Sequence, residues 1–368
     1  MRKIISWKGV IILLAVLPFV NTGISAQQKN GIALGTVKEK GTGSPLPNVN
    51  VFLSGTTLGA ATDEMGNFEI EGVPDGKYTV VASMIGFKTQ TRNVEVTNNK
   101  ISLGFILEPK EYEMETVEVS GDVPEEWKQN LETFKKFFLG QTEQSGECVV
   151  ENEYKIDFSE DAIGNLNAKI FEPLMIINNA LGYKIECILL LFYCNDKAGS
   201  VKFLIHTKFT ELKSDNEDDK EKWAENRKLA YLKSMKRLLK SITQNELFEN
   251  DYSIGFNFTP SSPLEIKKAK ELIAKRESNK WMKDSKPISS YEIVKYSSED
   301  KNYTLSFDNY LYVYNSITDD LSWLFLPYRT AMLDKYSEPI DPISIQAFGS
   351  LAKNGTANLL PLNYEYAK

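Results

Sequence analysis

Histidine and cysteine are the side chains that most often carry catalysis or hold metals, and this chain has few of them. Its 368 residues include one histidine, His206, and three cysteines, Cys148, Cys187 and Cys194. A single histidine argues against most zinc sites and most histidine-based acid–base catalysis. The sequence also has no serine nucleophile elbow, no phosphate-binding loop and no HExxH or CxxC spacing. We therefore predict no catalytic residue, no cofactor and no metal site.

His206 lies in a segment of alternating polarity. Val201 and Phe203 take one face of a predicted strand, whereas Lys202, His206 and Lys208 take the other. A catalytic base would usually need a carboxylate to orient it, and the strand neighbours of this histidine are lysines. We therefore predict a solvated histidine on a polar sheet face.

The cysteines are predicted to be free. An odd count leaves at least one thiol unpaired. Cys187 and Cys194 are seven positions apart in one predicted strand, which would put them on opposite faces and roughly 23 Å apart at ~3.3 Å per residue. We expect three buried free thiols.

A predicted helix over 221–242 carries two further candidate surfaces. Four cations on one face could meet an acidic polymer or an anionic headgroup, although a solvated helix face is the ordinary explanation. Between the polar and apolar faces, a stacked tryptophan–arginine pair could line a groove or simply seal the edge of the core. The four cations are Lys233, Lys236, Arg237 and Lys240, and the intermediate residues are Trp223, Arg227 and Ser234.

The 17 tyrosines and five tryptophans suggest carbohydrate binding, because sugar faces stack on aromatic rings. Tyr310, Tyr312 and Tyr314 share one face of a predicted strand, where sheet packing is the alternative explanation. A hydrolase that uses paired carboxylates also stays open, because spacing along the chain does not reveal separation in space.

The first 26 residues have the layout of a secretory signal peptide. Arg2, Lys3 and Lys8 precede an apolar run over 10–20, and small residues lead to a predicted cut after Ala26. Removing these three cations from the formal net charge of −7 leaves −10. We therefore expect no nucleic-acid partner, because binding there depends on neutralising phosphates. No later segment has membrane-spanning length.

Residues 32–108 contain short alternating runs separated by turn signals, the pattern of a β-sandwich. Residues 63–67 are predicted to form a hairpin turn with Gly66 at positive φ, and 75–76 a second tight turn. Pro45 and Pro47 are placed in a loop or on an edge.

Five ordered motifs in this part carry a family resemblance. They are GTV at 35–37, PLPNVNV at 45–51, ATDEMGNF at 61–68, VPDGKY at 73–78 and IGF at 85–87. Together they resemble the carboxypeptidase-regulatory-like domain, which has a transthyretin-like (prealbumin-like) fold. The resemblance implies a seven-stranded sandwich with no catalytic residues, an accessory module attached to peptidases, outer-membrane transporters and envelope proteins. Peptidases that bear it use a zinc site of histidines and a glutamate, which one histidine cannot supply.

An acidic segment is predicted to separate this module from the rest. Residues 111–126 contain seven anions and no cation, as expected for a solvated linker. The predicted organisation is a signal peptide over 1–26, the sandwich over 27–110, the linker over 111–126 and a second domain over 127–368. About 240 residues follow the linker, too few for a transporter.

The second region is predicted to be α+β with a mostly antiparallel sheet. Helices are expected from 124 to about 138, over 221–242, and from a capping box at Ser262 to about 281. The pairs Asn226–Arg227 and Ala230–Tyr231, together with 360–364, resemble an uncharacterised region found behind this module in exported proteins. Strands are expected at 168–177, 183–193, 201–212, 252–258, 291–296, 303–307, 311–314 and 343–347.

These observations predict an exported, non-enzymatic envelope protein in which an accessory β-sandwich is linked to an interaction domain. The expected home is the periplasm or outer surface of a Gram-negative bacterium, and the expected partner is an unidentified envelope protein or glycan. A glycan-binding protein and a paired-carboxylate hydrolase are the alternatives.

Overall fold

The structure is a computed structural model, and it describes residues 30–110, 124–197, 200–256 and 286–366. The proposed signal peptide, most of the acidic segment and the third predicted helix lie outside these ranges. Within them, strands dominate and helices are few. No helix in these ranges combines the length and the apolar character needed to cross a bilayer.

The N-terminal module is the expected seven-stranded sandwich. One sheet has the order β4-β1-β7 and the other the order β3-β2-β5-β6. The β1–β7 pair is parallel and the other pairs are antiparallel. The strands are β1 Gly31–Glu39, β2 Asn50–Leu53, β3 Gly59–Ala61, β4 Asn67–Val73, β5 Gly76–Ser83, β6 Gln90–Val96 and β7 Lys100–Leu107.

Alternating apolar residues fill the space between the two sheets. Phe68 and Ile70 of β4 are buried, while Glu69 between them faces solvent. The turn at 63–67 forms with Gly66 at φ +72°. The hairpin prediction is nevertheless wrong, because β3 and β4 belong to different sheets and the turn carries the chain from one sheet to the other.

The first half of the second region is a six-stranded antiparallel sheet covered by helix α1, Glu125–Phe138. Phe134 and Phe138 of α1 stack at 4.7 Å between ring centroids and pack on Phe192 of the sheet. The helix begins after Pro124, at the predicted start. The strands are β8 Cys148–Val150, β9 Asp157–Glu160, β10 Leu166–Lys169, β11 Leu174–Asn178, β12 Tyr183–Asn195 and β13 Ser200–Glu211.

A β-bulge in β12 changes the sheet face on which Cys194 lies relative to Cys187. The register between β12 and β13 shifts between Leu189 and Leu191. The extra residue reverses the alternation of faces, so Cys187 and Cys194 both point into the same core. The prediction that they lie on opposite faces is therefore wrong. All three cysteines are free, and Cys148 is half-buried rather than buried.

The second half of this region contains a five-stranded and a three-stranded antiparallel sheet around a core of their own. The predicted strand over 291–296 begins instead as the helical turn α4, Ser290–Ile293. The predicted closing strand near the C-terminus exists as β21 and pairs with β19. The strands are β14 Tyr252–Phe256, β15 Lys286–Pro287, β16 Val294–Ser297, β17 Asn302–Ser306, β18 Tyr310–Asn315, β19 Asp320–Phe325, β20 Thr330–Leu333 and β21 Gln346–Gly349.

The single helix predicted over 221–242 is two helices. They are α2, Glu217–Leu232, and α3, Met235–Thr243. Ser234 separates them, because its hydroxyl accepts a hydrogen bond from the backbone N–H of Arg237 and caps α3. The break turns the second helix into the core, where Leu238, Leu239 and Ile242 are buried.

Candidate functional site

The sandwich is joined to the second region through backbone hydrogen bonds. The loop between β2 and β3 lies along the outer edge of β13, with Thr56 fully buried. The Gly55 N–H donates to the Thr207 carbonyl at 2.7 Å, and the Phe209 N–H donates to the Thr56 carbonyl at 2.9 Å. The loop therefore extends the β13 edge by a short parallel bridge, which also covers backbone groups that would otherwise be unpaired.

His206 lies in this junction, so the prediction of a solvated histidine is wrong. Its Nδ1 is 3.1 Å from the Ser54 hydroxyl of the sandwich. Burial lowers the pKa of His206 below its ordinary range. No hydrogen bond or ion pair joins the ring to a carboxylate among the described residues. Instead, the nearby Glu186 carboxylate accepts from the Asn50 amide at 3.0 Å.

The C-terminal segment fastens the same loop from the other side. The Leu362 N–H donates to the Gly55 carbonyl at 2.7 Å. The Asn363 side chain accepts from the Thr57 N–H at 3.2 Å and donates to the Thr57 hydroxyl at 2.8 Å. Segments more than 300 positions apart in the chain thus close the junction.

A cleft of about 710 Å³ opens beside this closure, and we call it the tyrosine cleft. Its walls come from the β4–β5 turn of the sandwich, from α2 and α3, from the loop after β20 and from the C-terminal segment. The volume lies within the range of small-molecule sites. Five tyrosines line it: Tyr78, Tyr231, Tyr336, Tyr364 and Tyr366.

The tyrosine rings contact one another and the sandwich. Tyr231 stacks on Tyr366 with 4.8 Å between centroids, and Tyr364 lies 6.3 Å from Tyr231. Burial raises the pKa of Tyr78 to about 12, with smaller contributions from Tyr336 and Asp75. Burial also raises the pKa of Tyr231 and of Tyr364. All three phenols therefore stay protonated at neutral pH. The Tyr78 hydroxyl donates to the Pro74 carbonyl at 3.1 Å, so the O–H groups of Tyr231 and Tyr364 are the donors open to a ligand.

Three of the four carboxylates that line the cleft already have partners in the fold, namely Asp75, Asp334 and Glu338. Asp334 accepts the backbone N–H groups of Tyr336 and Glu338 at 2.9 and 3.1 Å, which closes a turn. Glu338 forms an ion pair with Lys236 at 3.5 Å. Nothing in this arrangement singles out a free acid–base pair.

The four predicted cations do not form one exposed face. Lys233 pairs with Asp320 at 3.1 Å, and Lys236 pairs with a glutamate of the tyrosine cleft. Arg237 is buried and donates to the Asn250 carbonyl at 2.8 Å. Of the four cations, only Lys240 is exposed. The surface for an acidic polymer or headgroup is therefore not built as predicted, because the helix break rotates α3.

Trp223 and Arg227 seal the core edge rather than stack on each other. Trp223 donates to the Asn179 carbonyl at 3.0 Å and covers Gly182. Arg227 donates to the Leu181 carbonyl at 2.7 Å and lies 4.0 Å above the Tyr183 ring. Both side chains thus fix the β11–β12 turn against α2.

The strand stripe of Tyr310, Tyr312 and Tyr314 does share one face, as predicted. Tyr312 is only 2% exposed and packs in one cluster with Trp323 and Leu321. This stripe is therefore sheet packing, and the tyrosines placed for ligand contact are those of the tyrosine cleft. Sequence reasoning missed the cleft because its five tyrosines come from four distant segments with no common period.

A second junction cleft, of about 830 Å³, lies between the β5–β6 loop of the sandwich and the outer face of β12. Its lining mixes apolar side chains with polar ones such as Asn50, Lys155 and Glu186, and Ile85 is 77% exposed. One of its three lysines, Lys155, is paired with Glu172 at 2.7 Å. Fewer polar groups are thus placed to select a ligand here than in the tyrosine cleft.

Comparison with known proteins identifies the first module. A family model for the CarboxypepD_reg-like domain matches residues 33–119. A TonB-dependent receptor, P3, from Formosa agariphila is 33% identical over 110 residues, which are 30% of this chain and 10% of the receptor. This chain therefore spans about a tenth of that relative.

Two solved structures illustrate distant likenesses to this chain. A type II cohesin–X-dockerin complex from Acetivibrio cellulolyticus is 29% identical over 21% of this chain and 57% of that chain, with a TM-score of 0.20. The backbone protein of pilus 2b from group B streptococcus is 14% identical over 22% of this chain and 41% of that chain, also with a TM-score of 0.20. Scores this low carry no argument about function. The chain therefore carries a CarboxypepD_reg-like domain, which the family model matches over residues 33–119 and which the structure describes as a seven-stranded sandwich up to residue 110.

Proposed function

We propose that this chain is an exported, non-enzymatic envelope protein whose accessory sandwich and second region together bind a partner in the tyrosine cleft. The proposed organisation is a signal peptide over 1–26, the sandwich over 27–110, an acidic linker over 111–126 and the binding region over 127–368. The proposed location is the periplasm or outer surface of a Gram-negative bacterium.

One observation carries the proposal. Five tyrosines from the sandwich, α2, the loop after β20 and the C-terminal segment converge on one cleft at the junction. Tyrosine is enriched in recognition surfaces because it joins a large rigid ring to a hydroxyl that donates and accepts hydrogen bonds. The family of the first module also supports an accessory rather than a catalytic role.

The test is capture of partners from an envelope extract with the mature chain as bait. Tyr366→Ala removes the ring that stacks on Tyr231 without entering a core, so the fold should survive. Tyr328→Ala is the matched control, because Tyr328 is 64% exposed and lies outside the cleft. We expect the wild type and the control to capture the same envelope protein and Tyr366→Ala to lose it. An unchanged set of captured proteins in all three would reject the cleft as the binding site.

Export has its own test. We expect cell fractionation to recover the chain outside the cytosol, with Gln27 as its first residue. A cytosolic protein with its first 26 residues intact would reject the proposed location.

A glycan is the second candidate ligand for the tyrosine cleft. Phenol rings can stack on sugar faces, and their hydroxyls can bond sugar hydroxyls. A glycan array read with the wild type and Tyr366→Ala should show binding that the variant loses. Absence of binding to every glycan would reject this candidate and leave the protein partner untouched.

A further inference from the structure

A lysine, an asparagine and a glutamate meet where the sandwich faces β12 and β13, and we call them the junction trio. They are Asn50 of β2, Glu186 of β12 and Lys208 of β13. The Lys208 ammonium donates to the Asn50 side-chain oxygen at 2.7 Å, and the Asn50 amide donates to one Glu186 oxygen at 3.0 Å. The other Glu186 oxygen lies 4.0 Å from the Lys208 nitrogen. Each member of the trio is therefore within reach of the other two.

The register of the strands holds the trio in place. Glu186 and Lys208 are directly opposite each other in the β12–β13 pair, so their side chains leave the same face of the sheet. Asn50 is paired in the sandwich with β3 on one side and β5 on the other. Lys208 is also the residue of β13 that bridges Thr56 of the sandwich loop. The contacts of the trio thus rest on paired backbone in both modules.

The stem of Lys208 lies against the sandwich. Its side chain is 20% exposed, and that of Glu186 is 27% exposed. Gly59 lies directly beside the stem, because a Cβ placed on that glycine would come within 3.3 Å of Lys208 Cε. Partial removal from water strengthens the hydrogen bonds among the three polar groups.

The short hydrogen bond also places the lysine nitrogen near a carbon that it can attack. A carbonyl bond is about 1.2 Å long, so Lys208 Nζ lies no more than about 3.9 Å from Cγ of Asn50. Reacting atoms in productive complexes lie about 3–3.5 Å apart, which a small rotation of the lysine side chain reaches. A lysine amine is a nucleophile once a base has removed a proton, and Glu186 is a carboxylate within reach of that proton.

We propose that Lys208 and Asn50 form an amide bond that joins the sandwich to the second region. Glu186 takes a proton from the Lys208 ammonium, and the nitrogen lone pair then forms a bond to Cγ of Asn50. The bond between Cγ and Nδ2 breaks. Nδ2 receives one proton from Glu186 and one from the attacking nitrogen, and it leaves as ammonium.

The reaction needs no oxidant and no cofactor. Glu186 ends as the carboxylate from which it began, and the neutral chain is lighter by one ammonia. The bond does not depend on what binds in the tyrosine cleft.

The chain contains a second trio of the same residue types that should not react. Lys155 donates to Glu172 at 2.7 Å, and the Asn152 amide donates to the other oxygen of that carboxylate at 2.8 Å. The Asn152 side-chain oxygen accepts the Met175 N–H at 2.9 Å. Among the described residues, no hydrogen bond joins that oxygen to the lysine nitrogen. The carboxylate thus bridges the amine and the amide, and the contact that the reaction needs is missing.

Mass spectrometry of the purified full chain tests the bond. Once the first residue has been identified, we expect an intact mass below the sequence mass by one ammonia. A tryptic digest should contain a branched peptide that joins the segment around Asn50 to the segment around Lys208. Lys155 and Asn152 should appear in unlinked peptides. Lys208→Arg should have its full sequence mass, because a guanidinium is a poor nucleophile.

Glu186→Gln tests the proton transfer, because glutamine keeps the size of the side chain and cannot take the proton. The linked fraction is read in protein harvested at successive times after induction. Bond formation should be slower than in the wild type by about a hundredfold or more. Tyr366→Ala is the control, because it leaves the junction trio intact and should link as fast as the wild type.

A wild type of full sequence mass, with Asn50 and Lys208 in separate peptides, would overturn the inference. So would a loss of ammonia without a branched peptide, because an asparagine also loses ammonia when it cyclises onto its own backbone. Equal rates of linkage in Glu186→Gln and the wild type would overturn the role given to Glu186.

Discussion

The Ser54 hydroxyl lies 3.1 Å from Nδ1 of His206, so the single histidine of the chain bridges its two modules. On the same sheet face, Lys208 donates to the Asn50 side chain at 2.7 Å, and Glu186 accepts from that amide. The histidine thus faces a hydroxyl and a lysine-containing network rather than a free carboxylate. Burial, which disfavours the charged ring, sets its protonation.

The first prediction is a loss of stability in mild acid. The pKa of His206 is lowered in the folded protein, and the ordinary value of 6.5 applies when the chain unfolds. Above that value both states are neutral and the full stability is present. As pH falls below 6.5, His206 is protonated in the unfolded chain but stays neutral in the folded protein. The free energy of unfolding therefore decreases. Urea unfolding between about pH 7.5 and about pH 5 should record this decrease.

His206→Gln is the control for that experiment, because glutamine keeps a polar contact for Ser54 but does not titrate in this window. Its unfolding free energy should vary less with pH than that of the wild type. The carboxyl groups whose pKa is lowered, such as Glu108 at about 2, act mainly below this range. The same pH slope in both proteins would contradict the assignment to His206.

The second prediction concerns two glycines with nearly the same backbone. Gly182 has φ +69° and Gly72 has φ +71°. A Cβ at Gly182 would overlap the Trp223 indole, whereas a Cβ at Gly72 meets nothing within 4 Å. Gly72→Ala should cost about 1–2 kcal/mol from left-handed strain alone. Gly182→Ala should cost ~1–3 kcal/mol more, because the ring must move. Equal unfolding midpoints would contradict this packing.

The third prediction tests the C-terminal fastening. Asn363→Ala removes both side-chain hydrogen bonds to Thr57 and should destabilise the protein by about 1–3 kcal/mol. It should also speed proteolytic cleavage in the β2–β3 loop, because that loop would be held less firmly. Asn93→Ala, which removes an exposed bond to Thr79, is the matched control and should change neither measurement appreciably. Equal proteolysis of the two variants would reject this role of Asn363.

The sandwich could be predicted from the sequence because its signal is local. Period-two runs and short turns define each strand without reference to distant residues, and the family motifs add the strand count. The second region was harder to predict, because its structure depends on contacts between distant segments. Ser234 ends a helix whose apolar periodicity continues beyond it. The bulge between Leu189 and Leu191 reverses the alternation of side-chain faces along β12, and no glycine or proline marks it in the sequence. Such features depend on the packing partners of each segment.

The candidate sites could not be predicted because they are made by contacts between distant segments. Tyr78 and Tyr366 line one cleft although nearly the whole second region separates them in sequence. The predicted tyrosine stripe used the correct strand face, but nothing in a strand pattern reveals whether that face is covered. His206 was assigned to solvent because the docking loop at 54–56 is remote in sequence.

The last prediction follows from the bulge in β12 and concerns the reactivity of the three thiols. Burial raises the pKa of Cys148 to about 12 and that of Cys194 to about 11, and it also raises the pKa of Cys187. The thiolate is the reactive form, so alkylation near neutral pH should be slow for all three in the folded protein. Cys148 should react first, because it is half-buried whereas Cys187 and Cys194 are buried, and this difference in access outweighs the lower pKa of Cys194.

Iodoacetamide labelling followed by peptide mass spectrometry reads each thiol separately. Denaturant should expose all three and label them at similar rates. Without the bulge, Cys194 would face away from Cys187 and the core, so rapid labelling of Cys194 in the native protein, with Cys187 protected, would contradict the observed register. Protection of both shows that the reversed alternation persists in solution, because only that register buries the two thiols in one core.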